Sequence, residues 1–254
     1  MSKTALLDAL HRMDVNAVQA ILRAKPDLRE FHDEKGYNLL QICCKRLTKN
    51  DRALADRQVK MAKALVAAGF DPRMEYTTQP GDDGEEEPSK VSLAWFAVAK
   101  AQNSALARYM LDQGARPDAL YAAAWWGNAD IIPDLVQHGA NLNASVGATP
   151  LHMAVDVFTR GTEGKPRVAR QRRDTLRVML DLGSDPNIAA HDKTTPLHTA
   201  LKKEYVEAFR MLLEHGANPD VPGKDGRTVR EVAARKHDKR WAAALGRHHS
   251  SRPA

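Results

Sequence analysis

The sequence predicts an all-α chain built from about seven helix–turn–helix units, and three observations carry that expectation. The phrase TPLHMAV at residues 149–155 returns almost unchanged as TPLHTAL at 195–201. An apolar helix end running into glycine recurs as MLDQGARPD from Met110, LVQHGANLN from Leu135, MLDLGSDPN from Met179 and LLEHGANPD from Leu212. The period is 33 residues, both from Gly183 to Gly216 and from Thr195 to Thr228. Self-similarity at such a period marks stacked repeat architectures.

Each phrase has a physical role within its unit. Thr149 and Thr195 are placed to cap the first helix, and Pro150 and Pro196 fit its first turn, where the missing N–H costs nothing. The glycines close the second helix in a left-handed conformation. A lone helix pair cannot bury its apolar face, so neighbouring pairs must stack. Repeat length and the TPLH signature resemble the ankyrin family, and the resemblance implies an ankyrin-repeat solenoid with short β-fingers between helix pairs.

In chain order the units are expected near residues 4–33, 36–73, 91–118, 118–145, 148–188, 194–221 and 227–246. They form a single ankyrin-repeat domain over 1–249, with a flexible tail at 247–254. The first and last units are degenerate, as water-facing end caps should be. The second and fifth carry enlarged inter-helix loops, LTKNDRALADRQ from Leu47 and a basic insert at 159–174. That basic insert is read as a second cationic contact, an unstructured excursion or an extension of the following helix. Between the second and third units an acidic insert, 75–90, replaces a short finger. Its run at 82–87 is placed to fold back over a basic face. Only 25 residues separate Gly114 from Gly139, so the finger before Asp118 is curtailed.

The bulk numbers set the boundaries of function. Hydrophobic residues make up 43% of the chain, ample for a packed core. Lys and Arg outnumber Asp and Glu by 38 to 32, which favours acidic partners without requiring nucleic acid. The N-terminal MSKTALLDALHRMD lacks an apolar stretch of signal-peptide length, and no run is long and apolar enough to span a membrane; a cytoplasmic protein is expected. Cys43 and Cys44 are adjacent on a helix and read as small buried thiols. There is no Cys/His cluster of zinc spacing, no phosphate loop and no G-x-S-x-G, so neither catalytic residue, metal nor cofactor is expected. By the resemblance, His152 and His198 bond backbone between neighbouring units instead of doing chemistry.

The resemblance also implies that the two residues closing each first helix face a concave groove. They are His11 and Arg12, Lys45 and Arg46, Lys100 and Ala101, Trp125 and Trp126, Asp156 and Val157, Lys202 and Lys203, and Arg235 and Lys236. Eight of these fourteen are Lys or Arg, against roughly two expected by chance, so the groove reads as electropositive. Trp125 and Trp126 point about 100° apart on a helix, so both can hardly be core. An exposed one is a natural interaction hot spot. The partner-binding residues expected are therefore Trp125, Trp126, Arg12, Lys45, Arg46, Lys100, Lys202, Lys203 and Arg235, with Arg167, Arg170, Arg172 and Arg173 as a secondary basic loop. Two functions are weighed. One is a non-enzymatic module gripping an acidic protein surface, including a bacterial inhibitor or immunity-type role. The other is nucleotide or oligonucleotide binding by Trp stacking and Lys/Arg phosphate contacts.

Overall fold

The computed structural model describes residues 2–48, 51–78, 89–236 and 238–250. The acidic run at 82–87, with the fold-back role assigned to it, lies outside them, as do residues 251–254. The described residues hold helices in consecutive pairs, consistent with the expected units: α1 (Lys3–His11) with α2 (Val15–Ala24), α3 (Leu39–Cys44) with α4 (Arg52–Ala67), and α5 (Leu93–Phe96) with α6 (Ser104–Asp112). There follow α7 (Leu120–Trp126) with α8 (Ile132–Gln137), α9 (Pro150–Asp156) with α10 (Pro166–Asp181), α11 (Pro196–Lys202) with α12 (Val206–Glu214), and α13 (Val229–Arg235) with α14 (Lys239–Ser250).

The chain divides into two compact units. The first comprises Met1–Ala122 with Gln137–Gly139, the second Ala123–Val136 with Ala140–Ala254. In the first unit α1, α3 and α5 pack in succession and α2, α4 and α6 form a second row. Leu6, Leu40, Leu65, Leu93, Phe96 and Met110 are fully buried there. The antiparallel pair β1 (Tyr76–Thr77) and β2 (Lys90–Val91) stands between α4 and α5, and Tyr76 meets Phe96 edge-on at 6.1 Å. In the second unit α9, α11 and α13 form one row and α10, α12 and α14 the other. Its core includes Val155, Leu176, Leu197 and Leu212, and Phe209 meets Trp241 edge-on at 5.0 Å.

The local signals work as the sequence implies. The Thr149 hydroxyl and backbone N–H both meet Nδ1 of His152, at 2.8 and 3.2 Å, closing a capping box. Thr195 and His198 repeat those distances. Gly69, Gly114, Gly139, Gly183 and Gly216 each follow a second helix with φ between +86° and +101°, a region that side-chain-bearing residues avoid.

The two expected loop enlargements are resolved differently. The extra residues are wound into the second helices: α4 and α10 each have 16 residues, where α2 has 10 and α6 and α12 have 9. Local propensity explains this. Asp51 caps α4 by accepting from Leu54 N–H at 2.9 Å, and the stretch that follows is rich in Ala, with two each of Arg, Leu and Lys. Pro166 occupies the first turn of α10, ahead of VARQRRD. Of the three readings of the basic insert, the extended helix holds from Pro166 onward. α14 likewise continues to Ser250, so residues 247–250 of the expected tail are helical.

The curtailed finger has its own fastening. Residues 113–119 alone join α6 to α7, and no bridge forms among them. Ser92, at the cap of α5, donates from its N–H and hydroxyl to the two Asp118 carboxylate oxygens at 2.9 and 2.6 Å, and its hydroxyl also reaches the Arg116 carbonyl at 2.8 Å. Burial nevertheless raises the Asp118 pKa, an effect that the bonds from Ser92 and the Arg116 charge oppose.

Candidate partner-binding face

The residues expected to bind a partner lie at first-helix ends, and each compact unit places its own. In the first unit Arg12 caps α1 and is exposed. Lys45 and Arg46 follow α3 and turn back on the protein. The Lys45 ammonium lies 3.9 Å from the Tyr37 ring centroid and 3.9 Å from Asp33, and Arg46 is half-buried with one Nη1 lacking a partner. Lys100 stands on a π-turn, Ala97–Ala101, with its ammonium 5.5 Å from the Trp95 ring centroid. Ala101 is fully buried.

In the second unit the charges alternate more than the sequence implies. Lys203 pairs with Asp156 at 2.5 Å and Lys236 with Glu204 at 2.8 Å. Exposed pairs of this kind contribute only about 0–1 kcal/mol to stability, yet each removes a net positive charge from the face. Lys202 and Arg235 are exposed and make no ion pair among the described residues. Val157 is buried, so its helix end offers Asp156 alone.

Trp125 and Trp126 end α7. Neither is buried: Trp125 is half-buried and Trp126 is 43% exposed. Gly127 follows at φ +78°, turning the chain sharply after the second indole. The Arg160 guanidinium carbon lies 4.7 Å from the Trp125 ring centroid, a cation–π contact. Sequence reasoning places Arg160 in the insert but does not pair it with Trp125, because 34 intervening residues hide the juxtaposition.

The secondary basic group separates on α10. Arg167 and Arg170 are exposed, Arg170 lying 3.5 Å from Asp174, and Arg173 is 3.7 Å from Glu207. Arg172 departs from the expected exposed loop: it is only 8% exposed, with Nη1 donating to the Ala124 carbonyl at 3.4 Å. The reason is the helix itself, whose turn carries this one arginine inward against the end of α7.

Both TPLH histidines cap their own helices, but only His152 also bonds the neighbouring repeat, while His198 Nε2 is buried without a hydrogen-bond partner among the described residues. His152 Nε2 donates to the Thr194 carbonyl at 3.0 Å while Nδ1 accepts from Thr149, an arrangement that uses both ring nitrogens. Burial lowers the pKa of His152 and of His198. Among the described residues no cluster of three or more His, Cys, Asp or Glu side chains is placed to hold a metal ion, and no helix is long and apolar enough to cross a membrane.

Comparison with known proteins completes this picture. Residues 167–248 match the family model for ankyrin repeats as three copies. The chain has the ankyrin-repeat fold. Over 54 residues it is 43% identical to protein fem-1 homolog A from Bos taurus and equally to that from Homo sapiens; the matched stretch covers 21% of this chain and 8% of those proteins. The human ASB11 ankyrin-repeat domain superposes over 100% of both chains with a TM-score of 0.69 at 20% identity. An ankyrin-repeat domain from Acinetobacter baumannii covers 85% of this chain and 100% of its own, with a TM-score of 0.62 at 24% identity. The ankyrin-repeat domain of Bcl-3, a member of the IkappaB family, covers 96% of this chain and 98% of its own, with a TM-score of 0.65 at 17% identity. Ankyrin repeats are generally protein–protein interaction modules and generally not enzymes.

Proposed function

We propose that this ankyrin-repeat protein is a non-enzymatic module that binds an acidic surface of another protein through its first-helix ends. The observation that supports this most directly is the pair at the end of α7: an indole 43% exposed beside a second indole lying under an arginine. Large aromatic side chains and Arg are the groups that dominate binding energy at protein interfaces. Lys202, Arg235 and Arg12 add exposed positive charge that steers an acidic partner. An inhibitor of the partner's activity is the narrower form of this reading. Unpaired Cys43 and Cys44 accord with a reducing, cytoplasmic setting.

The test compares wild type with the Trp125→Ala, Trp126→Ala double variant, first checked for native helicity. A retained protein is identified, purified and titrated by calorimetry against both. Loss of at least about 2 kcal/mol of binding free energy in the variant supports the reading. Equal affinity, or retention of oligonucleotide in place of protein, overturns it.

A further inference from the structure

Arg172 is a buried cation with no anionic partner among the described residues. It is 8% exposed, its Nε is enclosed with no hydrogen-bond partner, and its Nη1 makes one long bond to the Ala124 carbonyl. Burying an unpaired guanidinium is costly, and folded chains normally compensate it with a carboxylate. Here the charged side chain acting on it is Arg160, of like sign, and this repulsion adds to burial in lowering its pKa. Arg160 is in turn held over Trp125 at 4.7 Å.

The backbone leaves room for this cation. At Gly127, φ is +78° and an added Cβ would stand 3.4 Å from Arg172 Cδ and 3.7 Å from its Nε. Three other arginines of α10 have acids nearby: Arg170 and Arg177 lie near Asp174, and Arg173 near Glu207, while Arg167 is exposed at the first turn. Among the described residues Arg160 and Arg172 thus have no carboxylate partner, and both meet the end of α7 that carries the two indoles, Arg160 over Trp125 and Arg172 at Ala124 and Gly127.

We propose that Arg160 and Arg172, framed by Trp125 and Trp126, bind a single carboxylate from an acidic residue of a protein partner, whose apolar neighbour covers Trp126. This deepens the acidic-surface reading and rests on it. A guanidinium offers parallel N–H donors that match the two carboxylate oxygens, and the indoles supply the apolar wall that strengthens the bond by excluding water.

The test titrates the isotopically labelled full chain with the blocked peptide acetyl-Leu-Glu-Leu-amide, observing indole and guanidinium N–H resonances by NMR. Parallel titrations use the same peptide with Gln for Glu, inorganic phosphate and a ten-nucleotide oligothymidylate. The acidic peptide is expected to move the Trp125, Trp126 and Arg172 signals and leave those of Trp95 and Trp241 in place. R172Q and R160Q should each weaken it by about tenfold, and R172K should not restore it. R160Q alters an exposed side chain, so the proposal stays testable if R172Q does not fold. Equal shifts from the Gln peptide, tighter binding of phosphate or oligothymidylate, or no shift at these residues overturns the carboxylate site. A purified partner that binds wild type, R160Q and R172Q alike also overturns the site while leaving the protein-binding reading intact; that reading fails separately, when no protein partner binds wild type.

Discussion

His152 Nε2 donates to the carbonyl oxygen of Thr194 at 3.0 Å, tying one TPLH helix to the loop before the next. With Nδ1 accepting from Thr149, the ring works as a neutral imidazole. Burial holds the pKa of both His152 and His198 below 6.5, against the pull of Asp192 on each. The unfolded chain therefore binds protons first, and the stability contributed by these rings is complete above about pH 6.5 and lost as pH falls through their lowered values. Urea unfolding at pH 7.5 and 5.5 should show wild type weakening on acidification. H152Q and H198Q should be less stable at pH 7.5 but flatter with pH; unchanged slopes in both would refute the assignment.

Gly223 has a different reason to be glycine. An added Cβ would lie 2.8 Å from His198 Nε2 and 2.9 Å from its Cδ2, closer than real Cβ contacts allow. Gly223→Ala should destabilise by about 1–3 kcal/mol, through displacement of the His198 ring. Gly226→Ala is the contrast, since nothing approaches there and only its φ of +77° is strained, a cost of about 1 kcal/mol. Thermal unfolding of the two variants checks the order.

The repeats were legible because their signals are local. Caps, prolines and closing glycines act within a few residues, and the 33-residue period needs no knowledge of contacts. What hid were long-range juxtapositions. Arg172 reads as one more surface arginine until α10 is wound and turns it against Ala124. Asp33 and Glu204 neutralise Lys45 and Lys236 from other segments, which no composition of first-helix ends reveals. The enlargement after α3 reads as loop, and the helical alternative for the basic insert stays one of three, because insertion length alone does not distinguish loop from helix. Propensity and the Asp51 cap do.

Ser92 concentrates three functions in one buried hydroxyl: it caps Trp95 N–H at 3.2 Å, donates to Asp118 and contacts Arg116. Ser92→Ala should cost about 1–3 kcal/mol, the loss of a cap together with a bond to a buried carboxylate. Because that bond lowers the Asp118 pKa, its removal should raise the value further. Carboxyl NMR titration of Asp118 reads this directly, and a pKa that stays put would show that the hydrogen bond contributes little to the carboxylate.

Cys43 and Cys44 are 0% exposed, and burial pushes the Cys43 thiol up to about 12 and Cys44 well above its usual value. The thiolate is the reactive species, so neither should label at pH 8 in the native state. A chromogenic disulfide reagent should report no accessible thiol in the folded protein and two in denaturant. Fast native labelling would mean that α3 opens locally.

The ion pair between Lys203 and Asp156, 2.5 Å apart, bears on association more than on stability. With side chains 37% and 36% exposed the pair holds the fold only weakly, but Asp156 cancels a charge on the face proposed to meet an acidic surface. Asp156→Asn keeps the side-chain volume and frees the Lys203 ammonium. Association with the acidic partner should quicken about two- to fivefold at low salt, with dissociation little changed, because rim charges act on encounter. The gain should vanish at 0.5 M salt, where the screening length falls to about 4 Å. Stopped-flow binding across salt concentrations measures it. A slower rate in the variant would place the partner's contact on the acid instead, and the polarity of the face would have to be reversed.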